Sequence, residues 1–381
     1  MKGRKRHLFV RKILRFVLGP ALKRKFGFEP EIAELPGPCL IFSNHTTNWD
    51  PLLLSLSFRE QVYFVASEHI FRWGILSRLI VWLQSPIARL KGTVGAGTAA
   101  AVMRRLRKGC SVCIFIEGDC SWNGRTGSIS PAAAKLARSC GAALVTYKFT
   151  GGYLTGPRWA LKLRRGKMRG EIKGVYSPED IRKMPVDRIE RLISDDLSED
   201  AYERQRENPV VYRGKNYAEH LETVLFICPF CSGVGTLFSN GNEFHCSCGL
   251  FALYDDFGFL TGPGLPFDNV AKWDDWQTDR LRLLPEESGD GPVFEDVDIT
   301  LREIFPDHSS KKLGAGSISM FIDRLVCAGA DFPLSSVFGM AVHGRNTIDM
   351  SADKRNFEIS GGKLFCGRKY LLLYDQLRQQ I

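Results

Sequence analysis

Cys39-Leu40-Ile41-Phe42-Ser43-Asn44-His45-Thr46-Thr47-Asn48-Trp49-Asp50-Pro51-Leu52-Leu53-Leu54 is the stretch whose reading decides the fold. Its first four residues form an apolar run of the length of a buried strand. Asp50-Pro51 then opens a helix, with the aspartate as N-cap and the proline as first helical residue. His45 therefore falls on a strand-to-helix loop. Residues five apart lie on different sides of an ideal helix. His45 and Asp50 can meet only if the histidine precedes the helix and the aspartate sits at its mouth. An imidazole so placed takes a proton from a substrate hydroxyl, while the carboxylate on its other nitrogen fixes the tautomer; such a base contributes about 10²- to 10⁴-fold in rate. Acyl transfer to a hydroxyl suits this pair. The plainer alternative is a capped helix beside an ordinary loop histidine.

A second strand-to-loop transition follows, Ser111-Val112-Cys113-Ile114-Phe115-Ile116 running into Glu117-Gly118-Asp119-Cys120-Ser121-Trp122-Asn123-Gly124. An HxxxxD motif after one strand and a Phe-x-Glu-Gly turn with a nearby serine after a later one resembles the glycerolipid O-acyltransferase family, which includes the 1-acylglycerol-3-phosphate acyltransferases. The resemblance runs from about residue 30 to about residue 215. It implies a three-layer α/β domain with a mixed sheet and both motifs at one sheet edge. It also implies that His45 is the general base on the acceptor hydroxyl and Asp50 its orienting partner. Asn44, Glu117, Gly118 and Ser121 would contact the acceptor, and Arg89 in Ser85-Pro86-Ile87-Ala88-Arg89 would hold its phosphate. The implied donor is acyl-CoA or acyl-carrier protein, the acceptor a lysophospholipid such as 1-acylglycerol 3-phosphate, and the attack direct. The chain departs from the family's Phe-Pro-Glu-Gly-Thr-Arg-Ser at two informative places, where Ile116 replaces the proline and Cys120 the arginine. Arg125 is a candidate to restore the lost charge, because a guanidinium fork grips phosphate at two points.

The formal net charge is +10 and the pI about 9.1. Residues 2–25 hold ten Lys or Arg and no acid, interleaved with Leu8, Phe9, Ile13, Phe16, Val17 and Leu18. That pattern reads as a basic amphipathic helix in the headgroup region of an anionic membrane, where each basic residue is worth roughly 1 kcal/mol. Arg158, Lys162, Arg164, Arg165, Lys167 and Arg169 extend the same footprint. Arg11, Lys12 and Arg15 break the apolar core that a secretory signal needs, and no window reaches the roughly 18 charge-poor residues of a spanning helix. Ile70–Ala88, with Trp73 and Trp82, reads as a second interfacial helix, a buried core helix being the alternative. The expected location is the cytoplasmic face of the cell membrane, peripheral or monotopic. Gly95-Ala96-Gly97-Thr98-Ala99-Ala100 imitates a dinucleotide fingerprint, but Ile87–Gly92 ahead of it is too short and charged for the opening strand.

Val62–Ala66 and Ala142–Phe149 read as further strands, and Ala99–Lys108 and Pro131–Cys140 as helices, giving an α/β unit over residues 29–215 behind the basic helix of 1–28. Beyond it, a helix-like Tyr217–Leu225 leads into Cys228-Pro229-Phe230-Cys231 and, fourteen residues later, Cys246-Ser247-Cys248. Two close cysteine pairs around a Gly-rich hairpin suit a structural zinc ribbon over 216–262, with His245 an alternative to Cys246. The other seven cysteines are scattered without a pairing framework, as in a reducing compartment. Residues 266–381 open with Trp273, Trp276 and an acidic loop near Pro285 to Asp298. Short strands follow at Ser317–Ile322, Val337–Val342 and Asn356–Ser360, and a helix closes the chain at Tyr370–Leu377. That order resembles a small, mainly-β pleckstrin-homology-like domain. No nucleic-acid motif is present and no nucleic-acid partner is expected, although a basic zinc-ribbon nucleic-acid binder is the alternative function, beside a catalytically degenerate lipid-binding protein.

Overall fold

The computed structural model describes residues 4–67, 75–89, 96–307 and 309–379. Strand β2 (Cys39–Ser43) is buried along its whole length, as an uncharged strand at the centre of a covered sheet must be. The sheet runs in the order β1 (Phe28–Pro30), β7 (Met168–Tyr176), β6 (Ala143–Thr150), β2, β5 (Ser111–Phe115), β3 (Val62–Ser67), β4 (Ile87–Arg89). Neighbours are parallel except β6 and β7, so the sheet is mixed.

Strand alternation sorts the side chains into two cores. Leu40 and Phe42 pack with Ala134 and Ala137 of α5 (Pro131–Ser139), Val102 of α4 (Ala96–Arg107) and Ile189 and Ile193 of α8 (Val186–Leu197). Cys39 and Ile41 face Leu53 and Leu54 of α2 (Asp50–Ser57) and Leu22 and Phe26 of α1 (Arg4–Phe26). Helix, sheet and helix thus form three layers. The loops after β2 and β5, adjacent in the sheet, emerge together at its carboxyl edge, where ligands of open α/β sheets bind. Helices α6 (Gly152–Thr155), α7 (Pro178–Lys183) and α9 (Ala201–Glu207) complete this unit.

Several elements differ from the sequence reading. Helix α2 starts at Asp50 itself; Trp49 occupies the cap position without a side-chain cap bond, which frees the aspartate to face the loop. The segment read as one helix over Ile70–Ala88 is α3 (Ile75–Gln84) followed by β4, with Ser85 at φ 46° turning the chain between them. Residues 68–74, including Trp73, lie outside the described residues, as does Gly95; Gly97 is inside α4. Tyr217–Leu225 is not an α-helix. Asn216 and His220 adopt positive φ, and only Leu221–Thr223 forms a 3₁₀ turn. Part of the acidic stretch expected as a loop belongs to a strand, β12 (Phe294–Ile304).

The remaining chain builds two antiparallel sheets. The smaller has the order β11 (Leu260–Thr261), β10 (Phe251–Tyr254), β9 (Glu243–Cys246), β8 (Leu237–Asn240). The larger has the order β15 (Ala330–Pro333), β14 (Arg324–Cys327), β13 (Ser310–Met320), β12, β18 (Arg355–Ser360), β17 (Thr347–Ala352), β16 (Val337–His343). Helix α12 (Gly367–Arg378) closes this core through Tyr370, Leu373 and Tyr374. Between the sheets lie α10 (Val270–Leu281) and α11 (Leu284–Ser288).

The units share cores. Tyr153, Trp159 and Tyr202 of the α/β unit join Phe244, Leu250 and Tyr254 of the small sheet and Trp273 of α10 in one cluster. Arg164, read as part of a basic surface, is instead buried in these contacts, and the side chain of Arg158, read the same way, is largely covered by other groups. Arg164 donates to Tyr217 O at 2.7 Å and lies over the Tyr217 and Tyr254 rings, each at 5.0 Å. Aromatic faces and carbonyls supply what water would otherwise give a guanidinium.

Candidate active site

Where β2 ends, a side chain continues its ladder. Asn44 donates from Nδ2 to Phe149 O at 2.8 Å and accepts from Phe149 N at 2.7 Å, which locks the start of the loop to β6. The next residue, His45, donates from Nδ1 to Asp50 Oδ2 at 2.9 Å. Asp50 is fully buried. It also accepts from Thr46 N at 2.6 Å, Thr47 N at 2.9 Å and Thr47 Oγ1 at 2.7 Å. These donors hold the carboxylate in place, as a buried charge requires. Phe115 of β5 stacks on the imidazole with centroids 4.3 Å apart. The ring is thus fixed by a carboxylate at one nitrogen and an aromatic face below it.

Glu117 closes the bracket from the second loop. Its Oε1 accepts from His45 N at 2.7 Å and its Oε2 from Gly127 N at 2.8 Å. Burial pushes its carboxyl up to about 7, against the opposing pull of those two N–H groups. Gly118 takes φ 75°, the left-handed conformation that glycine adopts without strain, and so turns the chain sharply after β5. Next to it, the Cys120 thiol donates to Asn48 Oδ1 at 3.6 Å, between His45 and Asp50 in the chain. Burial lowers the histidine's proton affinity, but Cys120 and Asp50 outweigh it and hold the imidazole well above its ordinary 6.5.

The expected acceptor contacts are largely engaged with the protein itself. Both side-chain atoms of Asn44 and both carboxylate oxygens of Glu117 bind backbone, and a carboxylate would in any case repel a phosphate. Ser121 Oγ donates to Arg125 O at 2.7 Å and accepts from Gly124 N at 3.0 Å, stapling its own turn. Arg125 lies between Asp200 at 2.7 Å and Asp275 at 2.5 Å, which neutralise the charge it was expected to offer. Arg89 ends β4, in register with Ser67; its side chain lies outside the described residues.

Sequence reasoning missed the groups that hold the second loop. Arg158 pairs with Asp119 at 2.5 Å, donates to Cys120 O at 3.3 Å, lies 3.5 Å from the Trp122 ring centroid and reaches Gly344 O at 3.0 Å. Asn123 donates to Asp274 Oδ2 at 2.8 Å, and Arg368 grips the same carboxylate with two bonds of 2.7 Å. The one available signal was the cysteine standing where the family pattern has arginine.

Beside the small sheet, Cys228, Cys231, Cys246 and Cys248 bring their sulfurs within 4.8 Å of one another. The Cys228 to Cys248 and Cys231 to Cys246 separations are 3.6 and 3.7 Å. A tetrahedron with Zn–S bonds of about 2.3 Å has edges of about 3.8 Å, so the donor set fits zinc. His245 turns away to Glu243 at 3.1 Å. All eleven cysteines are free of disulfides.

A similar solved structure is that of the 1-acyl-sn-glycerophosphate (LPA) acyltransferase, PlsC, from Thermotoga maritima, at 18% identity and a TM-score of 0.39, covering 51% of this chain and 83% of that one. No match is found among curated proteins. Residues 29–150 match the model of the Acyltransferase family, and His45, Asp50, Glu117 and Cys120 all lie within that segment.

Proposed function

We propose that this chain is a membrane-surface glycerolipid acyltransferase. It moves a fatty acyl group from acyl-CoA or acyl-carrier protein to the hydroxyl of a lysophospholipid, 1-acylglycerol 3-phosphate being the preferred acceptor and phosphatidic acid the product. The observation that carries this reading is the His45 ring, held at Nδ1 by buried Asp50 and stacked on Phe115, with Glu117 bonded to the His45 backbone N–H. Its Nε2 would take the acceptor's hydroxyl proton, and Asp50 would stabilise the imidazolium that forms.

The surface role rests on two neighbouring helices. Phe9, Ile13, Phe16 and Val17 of α1 are exposed, as are Leu79, Val81 and Trp82 of α3, and Arg6 lies 4.4 Å over Trp82. This is an apolar patch with basic residues beside it. Among the described residues no helix is long and apolar enough to cross a membrane. Zinc on Cys228, Cys231, Cys246 and Cys248 would be structural, because protein fills all four positions. Arg89 is proposed to hold the acceptor phosphate.

Purified chain is given labelled acyl-CoA and a panel of lysolipids, and the products are identified by mass. Acylated lysophosphatidate is the expected product, and His45→Ala should lower its rate at least about 10²-fold with melting unchanged. Normal turnover in a folded His45→Ala protein would refute the mechanism. Arg89→Ala should raise KM for phosphorylated acceptors well above its effect on the acyl donor.

A further inference from the structure

The loop after β5 is gripped from outside the α/β unit. Arg368 of α12 and Asp274 of α10 are both buried, and they meet through two bonds of 2.7 Å. Gln277 Nε2 donates to the same carboxylate at 2.7 Å, so Asp274 cannot swing to follow the loop. Taking two charges out of water cancels most of what their attraction returns, and such a pair adds little stability over an apolar replacement. It does fix a geometry. Asn123 Nδ2 donates to Asp274 Oδ2 at 2.8 Å, and from there the bonds continue inward. Asn123 Oδ1 accepts from Arg125 N at 3.1 Å, Arg125 O accepts from Ser121 Oγ at 2.7 Å, and Ser121 N donates to His45 O at 2.9 Å. A chain of hydrogen bonds thus leads from the C-terminal helix to the backbone of the histidine. Trp122, in the same loop, packs against the cores of both appended units, with the Arg158 and Arg368 guanidinium groups 3.5 and 5.1 Å from its ring centroid.

We propose that Asp274 and Arg368 are positioning residues for acyl transfer. They hold Asn123 still, and through Asn123 and Ser121 they set where the His45 backbone, and with it the ring, stands. This rests on the acyl-transfer reading above and extends it to residues far outside the α/β unit. Both act through the loop, and a displacement of about 1 Å at a reacting group can lower a rate about 10²-fold. A relay has a signature that a general loss of packing lacks: its two ends are not independent. Cutting it at Asn123 leaves the Asp274–Arg368 pair whole, because Arg368 still bonds both carboxylate oxygens. The pair then has no loop to hold.

Asn123→Ala, Arg368→Lys and the double variant are compared with wild type as full-length chains, in transfer from palmitoyl-CoA to 1-acylglycerol 3-phosphate, in thermal melting and in amide exchange at Ser121. Asn123→Ala should lower kcat by about 10- to 10²-fold, with KM for both substrates within about twofold of wild type and melting little changed. Arg368→Lys keeps the charge but not the planar fork. It should lower kcat when Asn123 is present and have no further effect on kcat in the Asn123→Ala background, while lowering melting equally in both. Equal kcat losses in the two backgrounds, or a fully active Asn123→Ala chain, would overturn the relay. If Arg368→Lys does not fold, the Asn123→Ala result decides alone. Exchange separates this proposal from the reading it rests on. The Ser121 amide should exchange faster in Asn123→Ala, and Arg368→Lys should speed it only when Asn123 is present. That pattern in a chain that acylates no lysolipid would refute the lysolipid reading and uphold the relay, whereas Ser121 exchange unchanged in Asn123→Ala would refute the relay whatever lipid is made.

Discussion

Glu117 shows how one side chain can tie two loops together. It spans two loops by accepting one backbone N–H from each, and burial raises its carboxyl to about 7 from 4.5. A folded state that holds this proton longer than the unfolded chain is favoured at low pH. That advantage is fully present below pH 4.5 and is lost as pH rises through about 7. Glu117→Gln should therefore flatten the fall in stability between those values, measured as melting temperature against pH for both proteins. An unchanged slope would assign the titration to other groups. At this scale the sequence was informative wherever chemistry is local. His45 and Asp50 lie five residues apart across one loop-to-helix junction, and cysteine pairs announce themselves by spacing. It was silent where partners are remote and of common type. Nothing about Asn123 distinguishes it from any loop asparagine until Asp274, 151 residues away, is set beside it.

Among elements, α1 is the one whose two sides face different surroundings. Its inner side carries Val10, Leu22 and Phe26, with Arg11 donating to Phe58 O at 3.0 Å and His7 bonded to the Tyr63 hydroxyl at 3.1 Å. The helix thus packs on the α/β unit while Phe9 and Phe16 project outward, 64% and 86% exposed. Phe16→Asp should leave melting unchanged and markedly lower co-sedimentation with vesicles containing anionic lipid. Equal sedimentation would move the membrane contact elsewhere. The charge pattern of residues 2–25 made this helix readable, but charge alone misled at Arg158 and Arg164. A basic stretch reads as solvated by default, and only the aromatic rings and carbonyls of other units reveal that these two are covered. Strand β7 escaped notice for a related reason. Its sequence, Met168-Arg169-Gly170-Glu171-Ile172-Lys173-Gly174-Val175-Tyr176, is charged and glycine-containing because it lies near the sheet edge, flanked by the short β1 and the antiparallel β6.

Across the whole molecule, the appended units form part of the wall of the loop after β5. The small sheet packs Phe244 on Trp273 of α10, and α10 carries Asp274 and Asp275, which hold Asn123 and Arg125. Cys228→Ser, or chelation of the metal, should lower zinc content from about one per chain and reduce melting temperature, since structural zinc contributes roughly 10–16 kcal/mol of binding energy in finger peptides. Activity should fall in step with melting; full activity in metal-free protein would separate the cysteine cluster from the site. The existence of separate units was legible from cysteine spacing and strand pattern, but their fusion was not, because shared cores are written in ordinary Tyr, Trp and Leu residues. The clasp on Asn123 also has a consequence for synthesis. Asp274 follows Asn123 by 151 residues, and Arg368 follows Asp274 by a further 94. At about 5–20 residues per second, a ribosome that has delivered both loop motifs needs roughly 10–50 s more to deliver the residues that hold the second one still. A nascent or prematurely ended chain would carry both loop motifs but not the side chains that clasp the second of them, so that loop is held only when translation is all but complete.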